Sequence, residues 1–290
     1  MNRLINAFRR SQLSDKLLFI NASVFVLVQL SSVLLRLFNK SLTGVLLYFE
    51  VPSSLWLLQK QPWSIITYAF LHAGFLHILF NMLWLYWFGR IFLNYFTGKQ
   101  MVGLYLLGAI SGALAYVLAY NVFPYFSGQE GYLLGASAAV MAIVFAAATY
   151  SPNFEIRLIL IGRVKLIYLA IVTFLVDFLS ITSSNAGGHF AHIGGALFGI
   201  LFALQYKKGR DITNIINKPI DWIIGIFPKK GSKRKMKVTY QKPNIDWSYN
   251  ERKSRKNAEI DLILEKIKRS GYSSLSKEEK QKLFDAGSKS

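Results

Sequence analysis

Polar residues in this chain fall mainly between long apolar runs rather than within them. Hydrophobic stretches occupy Leu17–Phe38, His72–Phe96, Met101–Val122, Tyr132–Tyr150, Leu166–Ile181 and His189–Tyr206. About 20 helical residues cross a hydrocarbon layer roughly 30 Å thick, and a helix satisfies its own backbone groups where lipid offers no partners. The pattern therefore predicts six spans, two of them short. The fold class it implies is an all-α membrane protein, a six-transmembrane-helix bundle followed by a small cytoplasmic helical tail. The opening MNRLINAFRRSQLSDK is basic but lacks a small-residue cleavage site behind a brief apolar core. The first span is thus expected to stay rather than be removed as a signal peptide.

After Tyr206 the periodicity changes. The segment DITNIINKPIDWIIGIF is too short and too polar for a seventh span, and its Ile and Trp residues between Lys-bearing flanks fit a helix lying in the membrane interface. PKKGSKRKMKVTYQKPN reads as a flexible basic linker. Further on, Ile260, Leu262, Ile263 and Ile267 form an apolar stripe, Gly271 breaks the helix, and Ser276 with Glu279 matches a capping box for a second helix. Such a hairpin buries too little to be a robust domain alone. The expected organisation is a cytoplasmic segment at 1–16, the six-span domain at 17–206, an interfacial helix and basic linker at 207–255, and a helical hairpin at 256–290.

Composition agrees with the bilayer and adds an orientation. Of 290 residues, 53% are hydrophobic and only 17% charged, against about 25% charged in soluble domains. Most of the net charge of +19 lies in the tail. The remainder follows one set of connections: Arg3, Arg9, Arg10 and Lys16, then Lys99, then Arg157, Arg163 and Lys165. The alternate connections carry only Lys40 and Lys60, with none in FPYFSGQEG or TSSNAGG. The positive-inside rule then places both termini in the cytoplasm, with spans two, four and six running from outside to inside. Anionic lipid beside the basic tail accounts for the charge, so no nucleic-acid partner is expected. The absence of cysteine excludes disulfides, thiol catalysis and thiolate metal sites.

Ionisable groups inside spans are costly and point to function. Those away from the inner ends and edges of the runs are few, chiefly His77, Asp177, His189 and His192. Asp177 lies about one turn from the outer end of span five and is expected to reach headgroup water in a structural or interfacial role. His77 and Asn81 share a helical face, being four apart. His192 stands three residues before Gly195, which with Gly199 forms a seam that lets another helix come close. The natural neighbour is span four, whose small face holds Gly135, Ser137, Ala138, Ala142 and Ala146. Taken alone, Ser137 is an ordinary small packing residue. But His77, Ser137 and His192 lie five, five and three residues into runs that all start outside, or roughly 5–8 Å deep at 1.5 Å per residue.

A serine hydroxyl becomes a nucleophile when a base accepts its proton, and neutral imidazole suits that task. Ser137 and His192 make the pair. No carboxylate lies in span six, so a dyad is expected rather than a Ser-His-Asp triad. The Ser137 N–H at a helix start, with His77 and the Asn81 amide, can stabilise the oxyanion. His189 and His192 are spaced for a metal, but HExxH is absent and spans two, four and six offer no Asp or Glu. Neither a metal nor a cofactor is expected.

In the motifs HILFN of span two, GASA opening span four and AHIGGALFG of span six, the chain resembles the rhomboid intramembrane serine proteases, over roughly residues 15 to 206. The resemblance is to the bacterial type, a six-span core with a cytoplasmic C-terminal extension, and so implies a bacterial plasma membrane. It also implies Ser137 as nucleophile, His192 as general base, and His77 and Asn81 as oxyanion donors. The substrates would be transmembrane segments of client proteins, cleaved near the outer face. The stretch between spans one and two would form a lateral membrane-embedded loop, and span five with TSSNAGGHF would gate access. The chain departs from relatives at Ala138, where many have Gly, at Met141, where some have Tyr, at Trp63-Ser64 in place of a WR pair, and at Leu93 or Asn94 in place of an acidic residue. The alternative function is a non-catalytic rhomboid-like protein that binds transmembrane clients.

Overall fold

The computed structural model describes residues 13–158, 162–182, 185–226 and 245–287. The basic linker expected at 228–244 lies outside them. Helix α1 spans Leu13–Leu37, followed by α2 (Thr43–Leu47), strand β1 (Val51–Pro52), α3 (Leu55–Lys60), α4 (Ser64–Thr67) and a 3-10 turn at Tyr68–Phe70. Then come α5 (Phe75–Leu93), α6 (Gly98–Val122), β2 (Tyr132–Leu133), α7 (Ser137–Tyr150), β3 (Glu155–Leu158), β4 (Gly162–Lys165), α8 (Leu166–Leu179), α9 (Ala186–Lys207) and α10 (Asn214–Ile226). Helices dominate, so the chain is an all-α membrane bundle carrying two short antiparallel strand pairs, β1 with β2 and β3 with β4.

Among the described residues, four helices have the length and hydropathy to cross a membrane: α1, α5, α6 and α9. The other two apolar helices, α7 and α8, have only 14 residues each. Helix α7 is shorter than its apolar run because residues before Ser137 form β2 and a turn. Non-helical backbone at such depth is tolerated where protein covers it, and Leu133 and Ala136 are both buried. Within α7, Ala138, Ala139 and Val140 are buried, as is every residue from Ala142 to Ala148, which makes it the central helix. By contrast α8 buries only Leu166, Ala170 and Asp177. The side chains that α1 and α8 expose, such as Leu27, Leu34, Val172 and Leu179, form the apolar exterior that lipid requires.

Small residues let α6, α7 and α9 meet backbone to backbone. A Cβ on Gly195 would collide with the Ala138 carbonyl oxygen, and one on Gly199 with that of Ala142. From α6, Gly108 and Gly112 face the Ala142 and Ala138 methyls in the same way. The Ser111 hydroxyl donates to the Gly194 carbonyl at 2.9 Å. Without hydrophobic drive between helices in lipid, this close van der Waals contact is the main attraction available.

Helix α10 is amphipathic. Its polar face docks on α6, where Asn217 and Thr213 pack over Gly103 and Lys99 pairs with Asp221 at 2.8 Å. Gln100 donates to Asp211 at 2.8 Å. Ile215, Trp222, Ile223 and Ile226 are exposed along the other face.

The described residues after 244 belong to a second compact unit. Its α11 (Ile245–Ser270) begins within the stretch assigned to the linker, and α12 covers Lys277–Gly287. Gly271, at φ +78°, turns the chain between them. The capping box is formed, with the Ser276 N–H donating to Glu279 Oε2 at 2.8 Å and the Glu279 N–H to Ser276 Oγ at 3.2 Å. Ile263 is buried, but Leu262 is 67% exposed, so the expected stripe omits it. Being two residues from Ile260 and one from Ile263, Leu262 falls off their shared face.

The seam predicts a contrast. Gly199→Ala places a methyl against a backbone oxygen that cannot move aside, and overpacking of this kind costs about 1–3 kcal/mol. Gly225, in α10, has no atom of the described residues within 4 Å of its missing Cβ, so Gly225→Ala should leave stability unchanged or slightly raised. Thermal unfolding in detergent should show a clear drop for the first substitution alone.

Candidate active site

Ser137 is the first residue of α7, and the turn before it sets where its hydroxyl points. Gly135 holds φ +127°, a conformation that L side chains rarely adopt. Its N–H donates to the Tyr68 carbonyl at 3.0 Å. Tyr68 is fixed in turn by its hydroxyl, which donates to the Ala109 carbonyl at 2.7 Å. The pairing of Val51 with Leu133 and Pro52 with Tyr132 ties the same approach to the loop after α1. Ser137 therefore enters the helix from a braced backbone.

His192 comes from α9, carried in by the Gly195 and Gly199 seam. Its Nε2 lies 2.7 Å from Ser137 Oγ, and its Nδ1 lies 2.8 Å from Asp177 Oδ1. A carboxylate on one side of the ring fixes the tautomer on the other. Nδ1 carries the proton and donates to Asp177, so Nε2 has a lone pair for the serine hydroxyl. His189 Nδ1 approaches the same Asp177 oxygen at 2.8 Å.

Two sequence expectations are corrected here. Asp177 does not stand apart in headgroup water: its side chain is 10% exposed and contacts both histidines. The expected dyad geometry therefore has a third member, supplied by α8 rather than α9. A carboxylate in the last turn of one helix stands level with the first turns of the antiparallel helix that follows it, which is a signal the sequence does carry. Its burial is offset by two N–H donors, as a buried charge requires.

His77, from α5, has the opposite tautomer. The Ala73 N–H donates to its Nδ1 at 3.3 Å, leaving the proton on Nε2. That nitrogen lies against Gly135, 2.8 Å from where a Cβ would sit. The Asn81 amide donates to the His77 carbonyl at 2.9 Å and has a second N–H to offer. His77, Asn81, Ser137, Met141, Gly188 and His192 all line one open cleft of about 680 Å³. All four sequence-derived site residues thus meet in one place. They stand at different offsets within their helices, because the apolar runs containing His77 and Ser137 begin with non-helical residues.

The arrangement combines a hydroxyl, a base with a free lone pair, and N–H donors around an open cleft. This is the equipment for acyl transfer. A family model described as the Rhomboid domain matches residues 59–208, just over half of the chain. The chain belongs to the rhomboid family. It is 33% identical over 159 residues to RHOMBOID-like protein 12, mitochondrial, of Arabidopsis thaliana, covering 51% of this chain and 47% of that protein. It is 32% identical over 146 residues to the presenilin-associated rhomboid-like protein, mitochondrial, of Rattus norvegicus, covering 46% and 35%. It is also 32% identical over 146 residues to the rhomboid protease GlpG of Yersinia enterocolitica, covering 49% and 48%. The chain thus spans a third to a half of the length of these relatives. A second model, a family of unknown function (DUF6576), matches residues 243–289, which lie almost wholly within the described part of the tail.

The turn before Ser137 gives the test of this geometry. Gly135→Ala meets both a disfavoured φ and the His77 ring, and strain of this kind costs about 1–3 kcal/mol. Thermal unfolding in detergent should register the loss, and side-chain NMR of His77 should show its ring displaced.

Proposed function

We propose that this rhomboid-family membrane protein is an intramembrane serine endopeptidase that cleaves transmembrane segments of client proteins near the outer membrane face. The observation that carries the reading is the 2.7 Å contact between Ser137 Oγ and His192 Nε2, with Asp177 fixing the tautomer that makes Nε2 an acceptor. Ser137 Oγ attacks the scissile carbonyl carbon while its proton passes to His192 Nε2. The imidazolium so formed keeps its hydrogen bond to the Asp177 carboxylate, which balances the new charge. The oxyanion is met by the Ser137 N–H at the positive end of α7, the His77 Nε2–H and the free N–H of Asn81. Preorganised donors stabilise developing charge strongly. His192 then returns its proton to the leaving nitrogen, the peptide C–N bond breaks, and water activated by the same imidazole hydrolyses the ester on Ser137.

Lys and Arg placement supports cytoplasmic termini and so an outward-facing cleft. A bacterial plasma membrane is the site we favour, with anionic lipid partnering the basic tail and the exposed Ile and Trp face of α10 lying in the interface. The reaction needs no cofactor.

The decisive experiment is fluorophosphonate labelling of the detergent-solubilised protein together with cleavage of a reporter transmembrane substrate. Ser137→Ala and His192→Ala should each abolish both, because hydroxyl and base act as a unit. Equal labelling of Ser137→Ala would sink the protease assignment, and a wild-type protein that neither labels nor cleaves would favour instead a non-catalytic protein that binds transmembrane clients. Removing one oxyanion donor by Asn81→Ala should slow turnover by about 100–1000-fold with little loss of thermal stability. Asp177→Asn should lower kcat by about a hundredfold or more with KM almost unchanged, because only the base is disturbed.

A further inference from the structure

His189 takes no part in the chemistry above, yet it is built into the same cluster. Its Nδ1 and that of His192 each lie 2.8 Å from one oxygen of Asp177. One ligand atom from each of Asp177, His189 and His192 falls within 4.8 Å of the other two. The side chains are 17%, 18% and 10% exposed for His189, His192 and Asp177, so water is thinned around the cluster without closing it. Orienting His192 requires a single carboxylate contact. A second imidazole aimed at the same oxygen is surplus to that role.

We propose that Asp177, His189 and His192 form an inhibitory binding site for a divalent transition metal of the zinc class. Two imidazoles and a carboxylate are a donor set suited to zinc and poorly suited to magnesium or calcium, which favour oxygen. Zinc holds nitrogen at about 2.0–2.1 Å and carboxylate oxygen at about 2.0–2.2 Å, which puts tetrahedral ligand atoms about 3.3 Å apart. Each Nδ1 now stands 2.8 Å from the Asp177 oxygen and no two of the three atoms are more than 4.8 Å apart, so side-chain rotation would have to open the nitrogen–oxygen distances to that spacing, with water taking the fourth position.

The inhibition follows from the tautomer. A metal binds the lone pair of a neutral imidazole nitrogen, so on each histidine the proton moves from Nδ1 to Nε2. Asp177 is already ionised, and no proton leaves the site. His192 Nε2 then carries a hydrogen where it had a lone pair, and it faces Ser137 Oγ as a donor. No base remains for the hydroxyl. This inhibitory step rests on the reading of Ser137 and His192 as nucleophile and base, whereas metal binding itself does not.

The test separates the two. Co2+ titrated into the full-length Ser137→Ala protein in detergent should give the visible d–d bands of a four-coordinate nitrogen and oxygen site, bleached by added Zn2+. His189→Gln, which keeps an N–H for Asp177, should weaken that binding by at least about tenfold. In the wild-type protein, micromolar free Zn2+ should block fluorophosphonate labelling and reporter cleavage, with EDTA restoring both. His189→Gln, compared with its own metal-free rate, should need at least about tenfold more Zn2+. No Co2+ bands up to about 1 mM, or equal binding by His189→Gln, would overturn the site. Zn2+ that binds yet leaves labelling unchanged would overturn the inhibition. A chain without hydrolase activity would defeat the protease reading while the Co2+ spectrum still decided the metal site.

Discussion

The fold and the site both depend on how closely α7 and α9 approach. In water, helices are pressed together by burial of apolar surface, but lipid tails are as apolar as leucine and supply no such pressure. What remains is contact between atoms that fit. Gly195 and Gly199 bring the α9 backbone onto the carbonyl oxygens of Ala138 and Ala142, and Gly108 and Gly112 bring α6 onto the same two alanines. One turn from this seam stand Ser137 and His192. Their 2.7 Å separation is set by backbones that have no side chain between them to adjust. Ala138 belongs to this arrangement: its methyl fills the space facing Gly112, so a side chain larger than hydrogen at that position is accommodated by a glycine opposite.

Polar chemistry inside that frame is ordered by a choice between two tautomers. His77 accepts from the Ala73 N–H and so donates through Nε2, while His192 donates to Asp177 and so accepts through Nε2. The same side chain thus presents a donor nitrogen to the cleft on α5 and an acceptor nitrogen on α9. The difference lies entirely in what each Nδ1 meets, a backbone N–H in one case and a carboxylate in the other. In a low-dielectric site such partners hold strongly, and neither histidine can exchange roles without breaking a bond to its own anchor.

Much of this was legible in the sequence. The apolar runs located every principal helix, the i, i+4 spacing paired His77 with Asn81, and the small-residue seam next to His192 named its neighbour. Three things were harder to read, each for a physical reason. Leu133, Gly135 and Ala136 are covered by protein, and burial in protein leaves the same composition as burial in lipid, so the run looked like helix. Leu262 was grouped with Ile260 by hydrophobicity, although its angular position sets it apart. Asp177 was judged by its distance from the membrane surface, whereas its partners lie across a helix–helix contact. A single carboxylate near a span end says little until the helix beside it is known to carry two imidazoles at the same level.

That misreading bears on how the site connects to the rest of the molecule. Ser137 and His192 belong to helices joined backbone to backbone, but Asp177 belongs to α8, which buries only Leu166, Ala170 and Asp177, packs Ile167, Leu169 and Phe174 partly against the core, and turns residues such as Val172, Leu175 and Leu179 outward. Any outward movement of the last turn of α8 therefore lengthens the Asp177–His192 bond before it disturbs the Ser137–His192 contact. Ser137 and His192 would stay in register while His192 lost the partner that fixes its tautomer. The tautomer of His192 thus depends on a helix that buries few of its own residues. Close backbone packing sets the distance, and a sparsely buried helix sets which nitrogen carries the proton.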